Sequence, residues 1–138
     1  MGCVKKLNLL FDTHVLLWSL LEPERLSDTI CKLVVAESSQ IWVSPITTWE
    51  CHLLSEKGKV TLLPDPQQWL KQAFQLVGAR EAPITHEVAR VSRALQLAHQ
   101  DPADRFLAAT ASVYKLTLVT ADARLLGASG YSWLSAVR

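Results

Sequence analysis

Four short apolar runs recur along the chain, each followed by a helical pattern or a turn, and that alternation restricts the fold more than any other feature. "LNLLFD" (7–12), "QIWVS" (40–44), "LTLVTAD" (116–122) and "YSWLSAV" (131–137) have strand length and few polar interruptions. Between them, "THVLLWSLLEP" switches to helical spacing and stops near Pro23, and Ser27 and Asp28 cap a helix reaching about Ser38. Further helices are expected over 45–58, 67–78, 86–97 and 101–115, with "APIT" (82–85) as a brief extra strand. Strands interleaved with helices predict an α/β fold: a central parallel sheet flanked by helices on both faces. No repeat, low-complexity tract or long linker divides the sequence, so residues 1–138 read as a single domain.

Composition narrows the function classes. With 49% hydrophobic residues the chain can fill a core, yet no run approaches the ~18 apolar residues of a membrane span. A formal charge of +1 gives no broad attraction to nucleic acid, so any such binding needs a local basic rim. Cys3, Cys31 and Cys51 are odd in number and form no C-x-x-C pair, and charge returns before any secretory apolar segment. A reduced, cytoplasmic setting is expected.

One helix carries an anomaly. In "PITTWECHLLSEKG" (45–58), Ile46, Trp49, Leu53 and Leu54 make an apolar stripe at helical spacing, and Glu50 falls inside it. A carboxylate on a burying face needs compensation; a bridge to Lys57, two turns on, has a long reach. Other acids sit at element ends: Asp12 closes the first strand, Asp122 closes "LVTAD", and Asp101 and Asp104 open the helix "DPADR". Asp12, Asp101 and Asp122 each suit a cap, and Asp104 suits a helix's first turn. Together, however, five acids at element ends or on a buried helix face suggest one cleft, because ligand sites in parallel sheets form outside the carboxyl ends of the strands. Their mutual repulsion is relieved by protonation or by a divalent cation, and hard oxygen ligands suit Mg²⁺ or Mn²⁺. Zinc is not expected, since His14, His52, His86 and His99 are scattered without Cys/His ligand spacing.

"LLFDTHVLLWSL", "SPITTWECHLLSEKGKV", "DPADRFLAATA" and "LTLVTAD" resemble, in that order, the motifs of PIN-domain ribonucleases, most closely the VapC-type toxins of toxin–antitoxin pairs. The resemblance implies a PIN-like parallel sheet flanked by helices and metal-dependent hydrolysis of RNA phosphodiester bonds. It carries over Asp12, Glu50, Asp104 and Asp122 as catalytic, metal-binding acids, with Asp101 and Thr120 auxiliary and Mg²⁺ or Mn²⁺ as cofactor. Cys51 and His52 depart mildly from it, standing where small or apolar residues are usual. It further implies an antitoxin protein as partner and a homodimer. Lys5, Lys6, Lys57, Lys59 and Arg105 are candidates for holding the RNA backbone, and Trp18, Trp42, Trp49, Trp69 and Trp133 read mostly as core or partner surface. Two rivals remain: a non-catalytic PIN-like interaction module, and a phosphoaspartyl hydrolase, which wants an acid where His14 stands.

Overall fold

The computed structural model describes residues 6–137, so Cys3 and Lys5 lie outside the described residues. Five strands form one parallel sheet: β1 (Leu7–Phe11), β2 (Ser39–Val43), β3 (Arg80–Glu81), β4 (Thr117–Thr120) and β5 (Ser132–Ser135), in the spatial order β3-β2-β1-β4-β5. Side chains alternate between its two faces. Leu9 and Phe11 of β1, Ile41 and Val43 of β2 and Val119 of β4 enter one core cluster, and Leu10 and Leu118 enter the other. Burial on both faces is why the strands read as continuous apolar runs.

The first face is covered by α1 (Thr13–Leu21), α2 (Asp28–Val35), α3 (Pro45–Glu56) and α4 (Pro66–Val77), which contribute Val15, Leu16, Ile30, Cys51 and Leu70. The second is covered by α6 (Pro102–Tyr114), through Leu107, Ala108 and Ala111, with α5 (His86–Ala94) packed on α6. The chain runs outward from β1 to β2 and β3, then returns to β1's other side as β4. That reversal places a crevice at the carboxyl ends of β1 and β4, the location at which open α/β sheets bind ligands.

Local departures from the sequence reading have physical causes. The brief strand is Arg80–Glu81, two residues before "APIT"; Ala82 still donates its N–H to Val43 O at 2.9 Å, but Pro83 has no N–H to continue the ladder. α2 stops at Val35, where turns closed by Ala36 and Ser39 lead straight into β2. α5 stops at Ala94, because the following carbonyls turn toward the guanidinium of Arg105. In α3 the fully buried positions are Thr47 and Cys51, whose small side chains let the helix approach its neighbours closely. The expected stripe is therefore rotated outward: Ile46, Leu53 and Leu54 are half-buried and Trp49 is 58% exposed.

Candidate active site

Asp12 leaves β1 and starts α1. One oxygen, Oδ1, accepts the Val15 N–H at 2.9 Å and so caps the helix; the other, Oδ2, accepts from the Thr120 hydroxyl at 2.5 Å. The same hydroxyl oxygen accepts the Asp122 N–H at 3.0 Å, tying together the ends of β1 and β4. Glu50 stands beside Cys51 on α3, where Thr13 donates to its Oε1 at 2.6 Å. Among the described residues no ion pair joins Glu50 to Lys57.

Asp101 caps α6 through the N–H groups of Ala103 and Asp104, at 2.9 and 3.4 Å, with Pro102 in the first helical position. Asp104 Oδ2 lies 2.5 Å from His99 Nε2, a partner absent from the sequence reading; one ligand atom from each of His99, Asp101 and Asp104 falls within 4.8 Å of the others. Asp122 is held by Arg124, whose Nε and Nη2 donate to its two oxygens at 3.1 and 2.8 Å, and Nη2 also lies 3.8 Å from Asp104.

These elements, far apart in sequence, bring Asp12, Glu50, Asp101, Asp104 and Asp122 to the wall of one cleft of about 500 Å³, with Arg124 on the same wall. Burial is the chief reason that the carboxyls of Asp12, Glu50 and Asp104 are held above their ordinary range. Hydrogen bonds from Thr120, Thr13 and His99 respectively oppose that rise, while neighbouring carboxylates add to it. Asp122 moves the other way, chiefly because Arg124 donates to it. Three buried acids that resist full ionisation, with the readily ionised Asp122 beside them, form a hard-oxygen donor set that a divalent cation of the Mg²⁺ type would neutralise.

The PIN domain family matches residues 9–130. The chain belongs to that family. It is 35% identical over 119 residues to "Ribonuclease VapC22" of Mycobacterium tuberculosis, an alignment covering 86% of this chain and 89% of that protein. Its fold is similar to that of VapBC2 from Rickettsia felis bound to a promoter DNA fragment, with a TM-score of 0.70 at 14% identity, covering 94% of this chain and 98% of the other. It is also similar to VapBC-5 of Mycobacterium tuberculosis, a toxin–antitoxin family member, with a TM-score of 0.61 at 16% identity and coverage of 95% and 98%.

Arg105 requires a correction. As a candidate for holding RNA it should face solvent, but it is only 4% exposed, and its guanidinium donates to four backbone carbonyls. Lys57 and Lys59 are exposed just after α3, and Lys59 lines a groove with Arg25, Trp18 and His14, three residues that also line the acidic cleft. Sequence reading missed His99, Thr13, Arg124 and Arg25. His99 alone carried a signal, standing two residues before the capping Asp101.

Proposed function

We propose that this chain is a metal-dependent ribonuclease acting as the toxin of a toxin–antitoxin pair. The observation that carries the proposal is the convergence of Asp12, Glu50, Asp104 and Asp122, from β1, α3, α6 and the end of β4, on one cleft. The identity to a curated VapC ribonuclease supports the reaction, and the VapBC neighbours support an antitoxin partner. In this reading Asp12, Asp104 and Asp122 hold Mg²⁺ or Mn²⁺ directly, with Glu50 binding it directly or through water. When bound, the cation lowers the pKa of a coordinated water and neutralises charge on the scissile phosphate.

The protein's own groups do the positioning. Thr120 fixes Asp12 relative to Asp122, His99 fixes Asp104, and Thr13 fixes Glu50 by Oε1, leaving Oε2 to accept a proton from the attacking water. A carboxyl held above its ordinary range is the better base for that step. The RNA backbone follows the groove that carries Arg25 and Lys59, and Lys57 is a second phosphate contact. Among the described residues no helix is long and apolar enough to cross a membrane; action in the cytoplasm and a homodimeric assembly belong to the same proposal.

The test is cleavage of a labelled single-stranded RNA in Mn²⁺ or Mg²⁺, paired with calorimetric titration of the metal. Asp104→Asn and Glu50→Gln are expected to abolish cleavage while the fold survives, and Asp104→Asn to weaken metal binding. No cleavage by the wild-type protein, together with an isotherm unchanged in Asp104→Asn, would establish the non-catalytic interaction module instead.

A further inference from the structure

Between α3 and the start of α6 lies a second groove of about 510 Å³, lined by Ile46, Trp49, Leu53, Pro102 and Ala103. It is continuous with the acidic cleft, because Glu50 and Asp101 line both. Its wall is almost wholly apolar, and Trp49 presents a broad exposed ring beside the reacting centre. A tryptophan left outside the core in such a groove has a large contact area with no occupant within the described chain.

We infer that this groove is a nucleobase subsite, in which Trp49 stacks an unpaired base flanking the phosphate held at the acidic cleft. The inference rests on the nuclease reading and adds to it the side chain that holds a base beside the phosphate to be cut. The chemistry of the rim decides between base and backbone. Glu50 and Asp101 repel a phosphate, whereas Asp101, which caps α6 through Oδ1 alone, can accept an N–H on a base edge at its other oxygen. An apolar floor with an aromatic platform is the arrangement by which unpaired bases are held, independent of sequence. The two grooves, each sharing lining residues with the acidic cleft, thus divide the work: the cations of one take the backbone, and the indole of the other takes a base. A second copy of this chain fits the face less well, since a two-fold contact through it brings Glu50 and Asp101 toward their own counterparts.

The test measures binding by fluorescence anisotropy, in Ca²⁺ with the strand checked for integrity by gel electrophoresis, using an eight-nucleotide single-stranded RNA and a fully abasic strand of equal length. Trp49→Ala is expected to weaken binding of the base-bearing strand about five- to a hundredfold, the range for losing one stacked base. It should leave the abasic strand unaffected, and Trp49→Phe should retain most of the affinity. Equal loss for both strands, or none for either, overturns the inference. So does a Trp49→Ala variant with unchanged RNA binding whose oligomeric state in sedimentation, or affinity for an antitoxin, is altered; the groove is then a protein contact. None of these outcomes depends on cleavage, so failure here is separable from failure of Asp104→Asn to lose activity.

Discussion

Replacing Arg105 by alanine separates a structural cation from a substrate-binding one. Its Nε donates to Ser92 O at 2.8 Å, Nη1 to Leu97 O at 2.8 Å and His99 O at 3.0 Å, and Nη2 to Leu95 O at 2.9 Å. Net values of about 1.5–3 kcal/mol per charged hydrogen bond cannot simply be summed, because burying the guanidinium is itself costly. The better count is of carbonyls left dry. The bonds to Ser92 and Leu97 are buried, while those to Leu95 and His99 are partly open to water. Two dry carbonyls at ~1–3 kcal/mol each, plus the lost packing of the side-chain stem, give a loss of about 4 kcal/mol. Against a typical stability of ~5–15 kcal/mol this is severe.

With an m-value near 2 kcal/mol/M, the urea midpoint should fall by roughly 2 M. Lys59→Gln is the control: it is exposed, should leave the stability within about 0.5 kcal/mol of wild type, and should weaken RNA binding. If Arg105→Ala instead melts with wild type and loses RNA affinity as Lys59→Gln does, the carbonyl clamp has no energetic weight and the reasoning fails.

Two further outcomes follow from the charges in the cleft. Glu50 has its folded-state pKa raised, so whatever it contributes to stability is present below the unfolded-state value and lost as pH rises through the folded one. Glu50→Gln, which keeps an acceptor for Thr13, should therefore be more stable than wild type at pH 7.5. Solvent screening keeps the gain to about 1 kcal/mol or less, and it should vanish near pH 4 in paired urea titrations; a loss at neutral pH contradicts the repulsion argument. Arg124→Ala should let the Asp122 carboxyl rise toward its ordinary range and tighten Mn²⁺ binding, because the guanidinium that neutralises Asp122 and Asp104 is gone. Carbon-detected NMR titration and calorimetry read the two effects, and weaker metal binding would show that Arg124 supports the site rather than competes for it.

How much could be read in advance depended on whether a feature was local. β1, β2 and β4 were legible because strands buried on both faces carry nearly uninterrupted apolar residues. Asp12, Asp101, Asp104 and Asp122 were legible because they close strands or open helices, positions that topology sends to a common edge, and Glu50 because it interrupts an apolar stripe. Arg105 was misread because a charged side chain is normally a surface one. Its burial depends on one carbonyl near the end of α5 and three in residues 95–99, which adopt no regular structure, and no local pattern announces such a cradle. Trp49 shows a different limit. Spacing assigned it to one face of α3 with Leu53, but which face turns inward was decided by the smallness of Thr47 and Cys51.

The same residues could have been caps or metal ligands, and the geometry removes the need to choose. An ionised carboxylate has about four lone-pair directions. Asp12 uses one on the Val15 N–H and one on the Thr120 hydroxyl, and keeps others for the cleft it lines. Capping also assists the cluster, since Asp12 and Asp101 sit at the N-termini of α1 and α6, where the helix dipoles favour negative charge. Two positive helix ends, the Arg124 guanidinium and the His99 contact thus offset part of the repulsion among the acids. This is why the raised carboxyls need not be neutralised by protonation alone for the fold to hold them together. A site assembled in this way pre-organises its ligands at the expense of competing with them, and the balance between the two is what the Arg124 and Glu50 variants measure from opposite signs of charge.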